Sequence, residues 1–169
     1  MTDLSSAPVP AVGSDDHVRG QGADAILYFD LACPHCAAAW RRVRALPLRL
    51  CFRHFPVASK HARAPVLHAA AEAAAQQRQD AFFEFCDSLY ADHGHQDDPH
   101  LWERALELEL ELDRFERDRR SEAVAERVRR DFQGGIRAGI TGTPAAFLDG
   151  QLVARNVPET LAATVAEPA

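Results

Sequence analysis

The sequence is poor in lysine, in cysteine and in long apolar runs, and each shortage excludes a class of protein. Only one of the 19 basic residues is lysine, and 25 acidic residues bring the net charge to −6. Nucleic-acid binding requires a basic face, so we expect no nucleic-acid partner. Four cysteines in 169 residues are too few for a scaffold built on disulfides. No apolar run approaches the roughly 18 residues of a transmembrane helix.

The beginning of the sequence lacks the two features that direct a chain to secretion. Residues 1–16 contain neither a basic segment nor an apolar one. We therefore expect a cytoplasmic protein with no membrane association. The composition, 47% hydrophobic and 26% charged, is otherwise typical of a globular domain. A chain of this length can bury one core without disulfides or structural metals, and we expect a monomer.

Hydrophobic periodicity divides the chain into a β-α-β start, a helical middle and a β-β-α end. Residues 1–22 are rich in Pro, Ser, Gly and Asp, and we predict a flexible arm there. The predicted strands span residues 25–29, 48–55, 144–148 and 151–154, and the first and last predicted helices span 34–46 and 161–165. A helix of this length between the first two strands favours a parallel pair.

The middle of the chain is predicted to be helical over residues 65–77, 81–90, 98–108 and 121–138. The segment from Leu106 to Leu112 alternates between leucine and glutamate, which is the period of a strand. We predict helix there instead, because both residues are helix formers and no β-branched or aromatic residue supports a strand.

Cys33 and Cys36 form a C-x-x-C motif where a predicted strand meets a predicted helix. A helix N-terminus presents unpaired N–H groups and a partial positive charge, and both stabilise a thiolate. We place Cys33 at the N-cap and Pro34 at the first helical position, where the pKa of a cysteine falls to roughly 3.5–7.5. A protonated His35 adds to this effect. The motif therefore predicts Cys33 as the nucleophile and Cys36 as the thiol that resolves a mixed disulfide.

Thr143 and Pro144 open the strand that precedes the hairpin turn at Asp149 and Gly150. Proline at the start of a strand is unusual and is compatible with a cis peptide bond. With that bond cis, the backbone of Thr143 would face the Cys33 sulfur and pair with an extended substrate.

Together these motifs resemble the DsbA-like thiol–disulfide oxidoreductases of the thioredoxin superfamily. The resemblance extends from about residue 9 to 165, and its leading segment, 9–18, is similar to a compact bacterial branch related to domains fused to sodium/proton antiporters. The matching segments are 28–36 (YFDLACPHC), 52–56 (FRHFP), 69–75, 113–118 (DRFERD), 121–122, 139–144 (GITGTP) and 147–150 (FLDG). At Glu109, where relatives carry a helix-ending glycine, we expect the helix to end by another route.

The resemblance implies an α/β thioredoxin fold (β-α-β … β-β-α) with an inserted all-helical subdomain. We assign residues 23–58 and 120–169 to the core and 59–119 to the insertion. It further implies that Cys33 attacks, Cys36 resolves and Pro144 is the cis-proline. Protein or small thiols are the implied substrates, together with a redox recycling partner. No cofactor or metal is expected, because the two thiols exchange electrons directly.

Several alternatives stay open on the sequence alone. The chain could be a non-catalytic thioredoxin-like adaptor or a metal-binding module that uses the C-x-x-C as ligands, with His93 and His95 as further ligands. Asp30 either shapes the turn before Cys33 or takes a proton from Cys36. His54 either approaches the active site or only ends its strand. We interpret the remaining cysteines, Cys51 and Cys86, as packing thiols.

Overall fold

The computed structural model describes residues 7–167, which form five strands and seven helices. The strands are β1 (His17–Arg19), β2 (Ala23–Phe29), β3 (Leu48–His54), β4 (Ala145–Leu148) and β5 (Gln151–Val153). The helices are α1 (Pro34–Val43), α2 (Ala64–Gln77), α3 (Ala81–Ala91), α4 (Asp98–Glu107), α5 (Leu112–Asp118), α6 (Glu122–Arg137) and α7 (Val157–Ala166). The predicted β-α-β start and β-β-α end are both confirmed.

The five strands form one mixed sheet in the order β1-β3-β2-β4-β5. β2 and β3 are parallel, as predicted, with Ala23 opposite Leu48 and Phe29 opposite His54. The other neighbouring strands are antiparallel. Since parallel strands end at the same edge of a sheet, the loop that follows β2 lies beside the loop that follows β3. That edge carries the C-x-x-C motif.

Both faces of the sheet are buried. Leu27 and Phe29 of β2 belong to the larger apolar cluster, to which α1, α2 and α3 contribute. Ile26 and Tyr28 point the other way, into a smaller cluster against which Phe132 of α6 packs. Side chains alternate along a strand, so this arrangement explains why β2 is apolar at every position after Asp24.

The segment before β2 packs against the sheet, so the predicted flexible arm is wrong for residues 7–22. His17 lies in β1, which pairs with β3, and Val12 packs against the smaller cluster. Arg53 of β3 donates to two backbone carbonyls of this segment, at 2.7 and 3.1 Å. These contacts join positions distant in the sequence, and no local sequence pattern predicts them. Residues 1–6 of the predicted arm lie outside the described residues.

The leucine–glutamate repeat is not a strand, as predicted, but it is not one continuous helix either. α4 ends at Glu107 and α5 begins at Leu112. Between them Glu109 has φ 58°, and the N–H of Leu110 donates to the carbonyl of Ala105 at 2.9 Å. This left-handed ending is usually made by glycine. Our expectation that the helix ends by another route at Glu109 is therefore wrong.

Helices α2 to α5 lie between β3 and α6 in the chain, within the segment assigned to the helical insertion. α2 and α3 share the larger apolar cluster with the sheet. The exact boundaries between core and insertion stay a prediction. Among residues 7–167, no helix combines the length and the apolar character needed to cross a membrane.

Candidate active site

The C-x-x-C motif lies where the sequence predicts it, at the start of α1. Cys33 is the N-cap residue with extended backbone (φ −86°, ψ 123°), and Pro34 is the first helical residue. Pro34 and His35 are exposed, Cys33 retains 4% of its accessible surface, and Cys36 retains none. The motif therefore presents one thiol at the surface and holds the other beneath it.

The pKa values of the two thiols are shifted in opposite directions. The pKa of Cys33 is lowered to about 5, first by the hydrogen bond from the Cys36 thiol, against the cost of burial. The backbone N–H groups of Cys36 and His35 and the side chain of Thr143 lower it further. Burial and the adjacent Cys33 thiolate raise the pKa of Cys36 well above its ordinary value. His35 thus acts on the Cys33 pKa through its backbone N–H at the helix end.

Thr143 and Pro144 lie beside the thiols, and the peptide bond between them is cis, as predicted. Hydrogen bonding by the Thr143 side chain lowers the pKa of both thiols. A cleft of about 260 Å³ opens over Cys33 and is also lined by Thr143 and His35. A larger cavity of about 480 Å³ adjoins it, and its lining includes His35, Arg42, Thr143, Pro144, Leu152 and Glu159. The Cys33 thiol, although largely buried, thus lies at a depression in the surface formed by the two adjoining cavities.

The loop between β2 and α1 is held by a dense set of hydrogen bonds. Asp30 organises the turn: its carboxylate accepts the N–H of Ala32 at 2.9 Å and that of Val57 at 3.0 Å. The N–H of Asp30 in turn lies 3.4 Å from the Cys36 sulfur, to which it donates. The N–H of Leu31 donates to His68 at 3.0 Å. The turn-forming interpretation of Asp30 is thus supported by its contacts.

His54 ends its strand and does not contact the thiols directly. It is fully buried, and its two ring nitrogens lie 2.8 Å from His68 and 3.0 Å from Glu72. Sequence reasoning missed both His68 and Glu72. They lie four residues apart on α2, which places them on one face of the helix. Two polar residues at that spacing in an alanine-rich helix could have indicated that they share a buried polar site.

Among residues 7–167, the C-x-x-C does not belong to a group of side chains that could share a metal ion. Among the described residues, the group of three or more His, Cys, Asp or Glu side chains close enough to share an ion is His17, His54 and Glu72. Cys33 and Cys36 are not in it. This arrangement disfavours the interpretation of the motif as half of a zinc site.

Cys51 and Cys86 are both fully buried. Burial raises the pKa of Cys51 to about 12, and burial likewise raises the pKa of Cys86 well above its ordinary value. Neither thiol is available as a nucleophile, which agrees with their interpretation as packing thiols.

Comparison with known proteins gives a family match over most of the chain. The model of the DSBA-like thioredoxin domain matches residues 45–166. The chain is 35% identical over 151 residues to the Na(+)/H(+) antiporter NhaA 1 of Salinispora arenicola, with 85% of this chain and 23% of that protein covered. It is also 35% identical over 159 residues to the NhaA of Herminiimonas arsenicoxydans, covering 88% and 25%. The chain thus spans about a quarter of the length of these relatives.

Solved structures with the same fold are more distant in sequence. The thiol-disulfide exchange protein alpha-DsbA2 from Wolbachia pipientis superposes with a TM-score of 0.79 at 17% identity, covering 90% of this chain and 87% of that one. BdbD from Bacillus subtilis gives a TM-score of 0.75 at 15% identity, covering 96% and 99%. A thioredoxin-like oxidoreductase from Silicibacter pomeroyi DSS-3 gives 0.75 at 21% identity, covering 93% and 95%.

Proposed function

The chain belongs to the DsbA-like family of thiol–disulfide oxidoreductases, and we propose that its Cys33–Cys36 disulfide oxidises protein dithiols. The observation that supports oxidation of the substrate is the opposite shift of the two pKa values: that of Cys33 is lowered and that of Cys36 is raised. A thiolate stabilised in the reduced form makes the corresponding disulfide a stronger oxidant. With a Cys33 pKa of about 5, the reduced protein holds a thiolate at neutral pH.

The two thiols divide the exchange reaction between them. A substrate thiolate attacks Cys33 Sγ, the Cys33–Cys36 bond breaks, and Cys36 leaves and takes up a proton because its pKa is high. A second substrate thiolate then attacks the substrate sulfur of the mixed disulfide. Cys33 leaves as a thiolate, and its low pKa makes it a good leaving group. The substrate loses two electrons, and a disulfide-bearing recycling partner must remove them from the protein.

The surface around Cys33 supports an extended polypeptide as the substrate. The cleft over Cys33 continues into the 480 Å³ cavity, which offers apolar side chains from Pro144 and Leu152 and charges from Arg42 and Glu159. In this proposal the backbone of Thr143 pairs with the substrate next to its reacting cysteine. Small thiols need no such cavity, so protein thiols are favoured over low-molecular-weight ones.

A trapping experiment tests the assignment of the two thiols. In a Cys36→Ser variant, the Cys33 thiolate attacks a disulfide of an oxidised, unfolded protein substrate, one substrate sulfur leaves as a thiolate, and the mixed disulfide should accumulate because no Cys36 thiol can resolve it. A Cys33→Ser variant should trap nothing. The matched control is Cys51→Ser, whose buried thiol is outside the site and should leave turnover unchanged. Trapping by the Cys33→Ser variant at a similar level would reverse the assignment.

Equilibration with glutathione buffers of known ratio tests the oxidising role. We expect the Cys33–Cys36 pair to be reduced by buffers that leave an ordinary structural disulfide intact. A pair that never closes under oxidising buffer would favour the alternative, a non-catalytic thioredoxin-like adaptor. The cytoplasmic location and the monomeric state remain predictions, which cell fractionation and light scattering would test.

A further inference from the structure

Five buried titratable side chains form a continuous chain of contacts from the edge strand β1 to the active-site loop. Glu72 Oε2 lies 2.7 Å from His17 Nε2 and 3.0 Å from His54 Nε2. His54 Nδ1 lies 2.8 Å from His68 Nδ1, and His68 Nε2 lies 3.2 Å from Asp30 Oδ1. None of the five exposes more than 6% of its surface. We call this set, His17, Glu72, His54, His68 and Asp30, the buried chain.

When the three imidazoles are neutral, each has one N–H donor and one acceptor nitrogen, and this decides where each ring proton lies. Although burial opposes it, the bonds from His17 and His54 keep the pKa of Glu72 far below its ordinary value. Because this carboxylate only accepts, both Nε2 atoms next to it carry protons. Neutral His54 then has a lone pair on Nδ1, which accepts the proton on His68 Nδ1. Neutral His68 is left with a lone pair on Nε2, which accepts the N–H of Leu31 at 3.0 Å and donates no proton to the nearby Asp30 Oδ1.

The loop that His68 holds also positions the resolving thiol. Leu31 is the residue next to Asp30, whose N–H donates to Cys36 Sγ at 3.4 Å. The groups that stabilise the Cys33 thiolate lie elsewhere, on α1 and at Thr143. A shift of the loop at Leu31 would therefore disturb Cys36 before it disturbs Cys33.

We propose that His68 is a positioning residue for Cys36. Its Nε2 accepts the Leu31 N–H and so holds the loop in which the adjacent N–H, that of Asp30, donates to Cys36 Sγ. The inference rests on the proposed function, because it concerns the step in which Cys36 attacks a mixed disulfide on Cys33.

Other charged and titratable groups face the buried chain from neighbouring elements. Asp131 of α6 accepts the backbone N–H of His54 at 3.1 Å. Tyr90 of α3 donates its hydroxyl to the carbonyl of Asp30 at 3.0 Å. Burial lowers the pKa of His68 to about 4, so the His68 ring is neutral at neutral pH.

Stopped-flow reaction of the reduced protein with the aromatic disulfide DTNB separates the two thiols. In the first phase Cys33 attacks the reagent, forms a mixed disulfide and releases one aromatic thiolate. In the second phase Cys36 loses its proton to solvent and attacks Cys33 Sγ, which closes the protein disulfide and releases the other aromatic thiolate. We expect His68→Leu to slow the second phase roughly tenfold and to leave the first unchanged, because it removes the acceptor of a buried N–H.

A second variant restores the hydrogen bond without the imidazole ring. In His68→Gln the amide oxygen can accept the Leu31 N–H, and we expect its second phase to match that of the wild type. The matched stability control is Leu101→Ala, a buried position in α4 outside the buried chain.

The outcomes distinguish this inference from the proposed function. If the wild type releases no second equivalent, the proposed function fails. If the wild type closes its disulfide but His68→Leu closes it equally fast, or slows both phases as Leu101→Ala does, the positioning role is wrong. Elemental analysis adds an independent check. Stoichiometric zinc lost on chelation would place an ion between His17, His54 and Glu72 in place of the two N–H protons, and would overturn the proton assignment.

Discussion

Arg53 and Asp16 form a bidentate ion pair that fastens the segment before β2 to strand β3. The guanidinium Nε lies 3.1 Å from Asp16 Oδ1, and Nη2 lies 2.9 Å from Oδ2. Both side chains are buried, with 6% and 8% of their surface exposed. Burial opposes the ionisation of Asp16, yet the Arg53 bonds still hold its pKa below the ordinary value of 3.8.

The first prediction follows from breaking this pair. Asp16→Ala leaves the Arg53 charge buried without its partner, so we expect a loss of about 3 kcal/mol in the free energy of unfolding. The contribution of Asp16 is present above pH 3.8 and is lost as the pH falls through its lower, folded-state pKa. Urea unfolding of both proteins at neutral pH measures the difference.

The neighbouring residue provides the control. Asp15 pairs with Arg130 at 3.0 Å, but both side chains are more than half exposed. Exposed pairs contribute little because solvent screens them, so Asp15→Ala should leave the stability nearly unchanged. Equal effects of the two substitutions would show that the segment is not fastened through Arg53.

The second prediction concerns the Thr143 hydroxyl beside the reactive thiol. Thr143→Val keeps the shape of the side chain and removes the hydrogen bond that helps to lower the Cys33 pKa. We expect that pKa to rise by roughly one unit, since a bond to a charged group is worth about 1.5 kcal/mol or more. The pH dependence of iodoacetamide alkylation of Cys33 measures it. Thr141→Val, exposed and two residues away, is the control and should leave the profile unchanged.

The third prediction links the Cys33 thiolate to the stability of the reduced protein. The Cys33 pKa is lowered from 9.0 in the ordinary thiol to about 5 in the folded state. Between these values the unfolded chain binds a proton that the folded protein does not, so stability rises with pH through this window and the gain is lost as the pH falls through 5. The slope should be about 1.4 kcal/mol per pH unit.

The measurement is the free energy of unfolding of the reduced wild type minus that of Cys33→Ser, at several values from pH 5 to 8. Cys51→Ser serves as the comparison, because the raised pKa of Cys51, about 12, leaves that thiol protonated throughout this range. A difference between wild type and Cys33→Ser that stays flat with pH would mean that the thiolate is not stabilised by the fold.

The sequence was informative where structure and chemistry are local. Cys33 is the N-cap of α1, and Pro34 and Cys36 lie in its first turn, so the start of α1 and the asymmetry of the thiols follow from their spacing. The pairing of β2 with β3 follows from the helix that lies between them in the chain. In each case the signal is a pattern within one short stretch of the sequence.

It was uninformative where the interacting residues are distant in sequence. His17 and Glu72 are 55 residues apart, and nothing in either segment indicates the other. The same is true of Asp16 and Arg53. Their contact fastens to the sheet a segment that the sequence alone suggests is a flexible arm. At Glu109 the difficulty was different: a residue with a side chain takes a left-handed conformation that composition alone assigns to glycine.

The last prediction concerns two adjacent glycines of α6 in opposite surroundings. A Cβ atom on Gly135 would lie 2.9 Å from ring carbons of Tyr28 and Phe55, while one on Gly134 would meet nothing within 4 Å. Both rings are buried, at 1% and 3% exposure, and cannot move aside freely. We expect Gly135→Ala to lower the free energy of unfolding by about 1–3 kcal/mol. Gly134→Ala should raise it by up to about 1 kcal/mol, since alanine favours helix. Thermal unfolding of the two variants tests this, and a loss in both would contradict the close packing of α6 on the sheet.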